Sequence, residues 1–224
     1  MTGVAPPRDI VYPARMQDVD VSTIVPSTRD LLQVLSTRRR NLALIGLLGP
    51  ERAPEEAARL ADLNVSAFAG AEPGPAMALA SRATKTVPSL CLGAAGDREA
   101  LLAARQNGAD GVVLDARLPL DAWDRLAKIA RTMRMLPVAL AVDGPSMEAA
   151  IKTGARAILV QAGTAGEVLD LAARGPRSAT IVGHVEGADA DAVRALVGKV
   201  DAAVVPPAVH TAPGFAELVA DVDP

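Results

Sequence analysis

The sequence predicts an α/β fold: a single (β/α)8 TIM barrel behind an extended N-terminal arm. Three observations carry this. After Asp30, short and nearly all-apolar runs alternate eight times with longer amphipathic runs. Short apolar strands are what a parallel sheet covered by helices requires. Helix-to-strand junctions repeat a motif, with Gly-Ala-Asp at 108–110, Gly-Ala-Arg at 154–156 and Val-Asp-Ala at 200–202. The turn after the first run, Leu47-Leu48-Gly49-Pro50-Glu51, lacks the G-x-G-x-x-G of an open doubly wound sheet, which is the competing architecture.

Residues 1–29 form the arm. Pro6, Pro7, Pro13 and Pro26 break any sustained period there, so the segment reads either as an extended, loosely packed arm or as a disordered tail. The barrel takes residues 30–224. A short helical run at Leu31–Leu35 precedes it and ends in Arg38-Arg39-Arg40. The predicted strands are Leu42–Leu48, Val65–Phe68, Ser89–Leu92, Gly111–Leu114, Pro137–Val142, Ala157–Val160, Ala179–Val182 and Ala202–Val205. The helical segments that follow them are Pro54–Leu63, Pro75–Ala83, Arg98–Asn107, Leu120–Arg134, Ser146–Thr153, Ala165–Ala173, Asp189–Val197 and Pro213–Val219. Asn107-Gly108 and Thr153-Gly154 close two of them, as glycine at a helix C-terminus does.

Composition narrows the function. One cysteine, Cys91, excludes a disulfide framework and a zinc site built on cysteine pairs, and two histidines leave little for a metal centre. No metal or cofactor is expected. Net charge is −3 and only 2% of residues are aromatic, which argues against a nucleic-acid surface. No signal peptide or membrane span is evident, so the expected location is the cytoplasm.

The run Val87-Pro88-Ser89-Leu90, Asp97, Ala104-Arg105 and Gly108-Ala109-Asp110-Gly111-Val112-Val113-Leu114 resembles indole-3-glycerol phosphate synthase. So do Leu136-Pro137-Val138, Gly154-Ala155-Arg156 and Asp189 to Ala202. The resemblance spans about residues 30–210 and implies the same barrel. At the strand ends it implies a loss. The family's catalytic glutamates fall on Leu44 and Leu140, its lysines on Gly46 and Leu92, and its paired asparagines on Gln161 and Ala162. Leucine and glycine transfer no protons. Lys85, Lys128, Lys152 and Lys199 are predicted on helices or helix ends, away from the mouth. Pro206-Pro207 follows the last strand and removes N–H donors where such barrels grip phosphate, and Glu186 would add a repelling carboxylate.

Six polar residues remain at or just beyond predicted strand ends: Glu72, Asp115, Asp143, Gln161, His184 and His210. Asp115, Asp143 and His184 are the candidate catalytic group, placed for acid–base work at the rim. The plainer reading is that the two aspartates cap helices or start turns, Asp143-Gly144 being a strong turn dipeptide. Gln161, His210 and Glu72 are candidate ligand contacts. His210, ahead of Thr211 as a helix N-cap, also reads as structural, and Cys91 reads as core.

Two functions follow. One is a catalytically degenerate, indole-3-glycerol phosphate synthase-like pseudoenzyme, a binding or assembly module that meets a protein partner through the arm or the mouth. The other is an enzyme running a different small-molecule reaction with Asp115, Asp143 and His184. Residual lyase activity of the tryptophan-biosynthesis type is a third, lesser expectation.

Overall fold

A computed structural model describes residues 24–37 and 41–222; residues 1–23, with most of the arm, and the Arg38-Arg39-Arg40 run lie outside the described residues. Eight strands alternate with helices: α1 (Leu31–Leu35), β1 (Ala43–Leu47), α2 (Ala53–Asp62), β2 (Ala67–Gly70), α3 (Pro75–Ala83), β3 (Ser89–Cys91), α4 (Arg98–Gln106), β4 (Gly111–Asp115), α5 (Leu120–Thr132), β5 (Leu136–Ala141), α6 (Gly144–Lys152), β6 (Ala157–Ala162), α7 (Ala165–Ala172), β7 (Thr180–Val185), α8 (Ala190–Ala195), β8 (Ala202–Val205), α9 (Pro207–His210) and α10 (Phe215–Val222). All strand pairs are parallel, and β8 closes on β1 through Ala43↔Ala202 to Gly46↔Val205. The fold is the expected (β/α)8 barrel. No described helix is long and apolar enough to cross a membrane.

Element ends differ from the sequence reading by up to three residues: β6 runs on to Ala162 and β7 to Val185, so Gln161 and His184 lie within strands, and α10 spans Phe215–Val222. β2 begins at Ala67 rather than Val65, because the Val65 amide is spent on the Leu60 carbonyl at the end of α2. The one-turn helix α9 was not anticipated. Pro207, whose fixed φ suits a first helical position, starts it. Thr211 therefore C-caps α9 instead of N-capping the next helix.

Side chains alternate across each strand. One set, including Ile45, Ala69, Leu90, Val113, Val138, Leu159, Val182 and Val204, fills the barrel interior. The other, including Leu44, Phe68, Cys91, Leu114, Ile158 and Val205, packs beneath the helices with Trp123. Leu31 and Leu35 of α1 join the interior set and plug the N-terminal end. Gly111 makes room for the plug: a Cβ there would lie 2.3 Å from Leu31 Cδ2. Four helix ends reverse direction through a left-handed residue, Asn64, Gly108, Arg134 and Gly154. Glycine takes this conformation freely, whereas an L-residue pays roughly 1–2 kcal/mol. Arg134, at φ 56°, is the unexpected member of that set.

The strand starts are tied together by a buried carboxylate. Asp110 accepts the Ser89 amide at 2.8 Å, the Ser27 hydroxyl, Arg29 Nε at 2.7 Å and Arg105 Nη1 at 3.2 Å. Its side chain is 0% exposed. The other four Arg29 N–H groups go to the Thr84, Val87 and Gly108 carbonyls and Ser81 Oγ. Removing one partner of a buried charge cluster strands the others, at a cost of about 3–5 kcal/mol. Asp110→Asn keeps the shape but leaves two guanidiniums unpaired. Chemical denaturation of that variant should show a loss of this size.

Candidate functional site: the barrel mouth

Asp115, Gln161 and His184 each follow an inward-facing residue by two positions: Val113, Leu159 and Val182. Strand alternation therefore turns all three into the opening at the C-terminal end of the barrel. Leu47, Leu92 and Leu140 hold corresponding positions on or just after β1, β3 and β5, and Pro206 follows β8. All seven are half-buried. The rim is thus polar along β4, β6 and β7 and apolar elsewhere.

Asp115 is engaged in a local ion pair. It accepts the Arg117 amide at 2.9 Å and the Arg117 guanidinium at 3.1 and 2.9 Å. These bonds hold its carboxyl below the usual range against partial burial, with the nearby Asp143 charge acting in the opposite sense. Asp143 N-caps α6. Its Oδ1 accepts the Ser146 amide at 2.7 Å, and Ser146 Oγ accepts the Asp143 amide at 2.9 Å, completing a capping box. Hydrogen bonds from Ser146 lower the Asp143 carboxyl, and its exposed charge also feels Arg117.

His184 stands opposite Gln161 and Val204 in register. Burial pushes its imidazole below the ordinary value of 6.5, only partly offset by the Glu186 charge. Its Nδ1 is enclosed and has no hydrogen-bond partner. Gln161 Nε2 donates to Glu186 at 2.9 Å. The predicted catalytic group is therefore only partly assembled. Asp115 and Asp143 share neighbouring strands β4 and β5, but β6 intervenes before His184, and Gln161 is the residue beside it.

The remaining candidates lie elsewhere. Glu72 is exposed in the loop after β2, across the ring from β6. His210 is fully buried behind β1: its Nε2 meets the Leu47 carbonyl at 2.7 Å and Arg59 lies 3.0 Å from Nδ1. A carbonyl only accepts, so Nε2 carries the proton and Nδ1 accepts from Arg59. Neither nitrogen is left for a ligand. Cys91 faces the helices, and burial raises its thiol to about 11. Sequence reasoning missed Arg117 and the Gln161–Glu186 contact. The Asp-x-Arg spacing signals the first; the second depends on register and has no local signal. Among the described residues, no three His, Cys, Asp or Glu side chains converge to hold a metal.

No protein-family model matches the chain, and no curated protein matches it. Solved structures do. A 3-hexulose-6-phosphate synthase superposes with a TM-score of 0.66 at 15% identity, covering 81% of this chain and 98% of that one. The enzyme of that name from Salmonella typhimurium gives 0.65 at 20%, with the same coverage. KGPDC from Streptococcus mutans gives 0.64 at 11%, covering 81% and 97%. At these identities the likeness is one of fold. The expected membership in the indole-3-glycerol phosphate synthase family is overturned, since the similar structures are of other kinds. The residues behind that expectation are framework: Gly108 and Gly154 supply left-handed turns, and Asp110 ties adjacent strands. A parallel barrel needs such devices whatever it does.

Burial keeps His184 neutral, so folding disfavours its protonation. The neutral form costs nothing above the unfolded value near 6.5. Below that pH the unfolded chain takes up the proton first, and stability falls as pH drops toward the depressed folded value. Thermal unfolding between pH 7 and 5 should therefore steepen for the native chain relative to His184→Gln. The buried His210, shifted in the same direction, leaves a residual slope in the variant.

Proposed function

We propose that the chain is an enzyme acting on a small, polar, uncharged molecule at the barrel mouth, with His184 as its proton-transfer group. The observation that carries this is the enclosed, partnerless Nδ1 of His184 on a rim where the other polar side chains, Asp115 and Gln161, are hydrogen-bonded. An unsatisfied buried nitrogen costs about 1–3 kcal/mol and calls for an explanation. The half-exposed ring leaves Nε2, which has no hydrogen-bond partner among the described residues, to meet a ligand hydroxyl at the mouth. A neutral imidazole at pH 7 is ready to accept a proton. Gln161, steadied by Glu186, offers amide atoms beside the ring. Asp115 and Arg117 present a fixed ion pair for hydroxyl groups on the far side of β5.

The similar solved structures include enzymes named for a phosphorylated sugar, which supports a hydroxylated substrate. The rim here argues against a phosphate. Pro206 and Pro207 have no N–H to give after β8, and Glu186 adds negative charge after β7. Unphosphorylated hydroxycarbonyl compounds fit better. Asp143, already spent on the α6 cap, would act through its charge on Asp115 and Arg117 rather than by proton transfer.

A second reading has its own observation. Leu47, Leu92, Leu140 and Pro206 leave part of the rim apolar and half-exposed, which suits a protein partner docking at the mouth. The two readings part on one measurement. In deuterated buffer, the enzyme reading expects exchange of the proton beside the carbonyl of hydroxyacetone or dihydroxyacetone, followed by NMR. His184→Ala should lower that rate by roughly 10²–10⁴. Exchange at the buffer rate, or a rate unchanged in the variant, overturns the enzyme reading.

A further inference from the structure

A cavity lies at the other end of the molecule. It encloses about 370 Å³ beneath the N-terminal face, between the 27–32 segment, the end of α5 and the start of β5. Its floor is Met135, Leu136 and Pro137, with Leu31 and Leu32 on one wall. Its charged lining is Arg29, Arg131, Arg134 and Arg156 against Asp30 and Asp110. The two carboxylates and Arg29 are already committed. Asp110 and Arg29 belong to the buried tie, and Asp30 caps α1 through the Gln33 amide at 3.0 Å. Arg131, Arg134 and Arg156 are exposed, and their side chains make no hydrogen bond or ion pair among the described residues.

Three unpaired guanidiniums on one concave surface repel one another. Arg134 adds a second, independent cost. It holds the left-handed position that Gly108 and Gly154 occupy at matching helix ends. A position where glycine serves elsewhere in the same fold instead carries a long cation. The backbone there is anchored from both sides: the Ser27 amide meets the Met133 carbonyl at 3.0 Å, and the Met135 amide meets the Ala130 carbonyl at 2.9 Å.

We propose that this cavity is a binding site for a small organic phosphate, gripped by Arg131, Arg134 and Arg156. Guanidinium forks match phosphate oxygens two at a time, and their charge complements a dianion. The size suits a small molecule rather than a macromolecular surface. The apolar floor accepts an organic body beside the phosphate. The site stands on the opposite end of the barrel from His184 and is independent of the reaction proposed there.

Isothermal titration of the full chain with inorganic phosphate, pyrophosphate and phenyl phosphate tests it. Phenyl phosphate should bind more tightly than inorganic phosphate, because the floor takes the ring. Pyrophosphate should bind too, and Arg156→Gln and Arg134→Gly should each weaken it at least about tenfold. Arg134→Gly should at the same time unfold at a higher temperature than the native chain without ligand, since it relieves the left-handed arginine. His184→Ala should bind these anions as the native chain does. The proposal is overturned if none of the three binds, if Arg156→Gln binds like the native chain, or if citrate matches pyrophosphate, which would mark general charge attraction. A lower unfolding temperature for Arg134→Gly would assign Arg134 to structure and overturn its part.

Discussion

A parallel barrel must hold eight strand starts in register without a hairpin to set any of them, and here buried aspartates do much of that. Asp110 precedes β4, and its carboxylate takes the Ser89 amide of β3 while its own backbone bonds Ser89 and Leu136 on either side. Asp201 repeats the device before β8: its carboxylate takes the Ile181 amide at 2.9 Å, and its carbonyl accepts Ala43. Each aspartate thus adds a side-chain bond to the backbone ones and links three strands. At Asp110 the charge also draws in Arg29 and Arg105, which fastens the chain ahead of α1 to the barrel. That placement lets Leu31 and Leu35 enter the interior from below.

The plug divides the molecule. With α1 filling the N-terminal end and interleaved alanine and valine layers above it, the two ends cannot exchange ligands through the barrel. Each end has its own chemistry. The mouth carries a desolvated imidazole among paired side chains, where small changes of proton affinity matter. The base carries unpaired cations on a strained backbone, where charge attraction matters.

The fold was legible because its causes are local. Apolar runs of strand length, amphipathic runs of helix length and glycine after Asn107 and Thr153 each act over a few residues. The site was legible only in part. Alternation from Val182 sends His184 inward whatever the rest of the chain does, so its place at the mouth could be read. That Asp143 would cap α6 was readable from Asp143-Gly144 as a competing role. The Gln161–Glu186 contact depends on the β6–β7 register, and the buried station of His210 depends on a helix begun by Pro207. The apparent kinship failed for a related reason. Junction residues such as Gly108 and Asp110 solve a problem common to barrels, so they report architecture, while the rim residues that distinguish one chemistry from another agreed with the supposed family nowhere.

Cys91 brings a practical consequence. Its sulfur lies between β3 and the helical layer with a thiol too weakly acidic, at about 11, to ionise at neutral pH. An alkylating reagent meets a thiolate there only after that layer has parted from the sheet. The chain thus contains its own clock: with no second thiol to confuse the signal, the rate at which the native protein is labelled reports how often its wall opens.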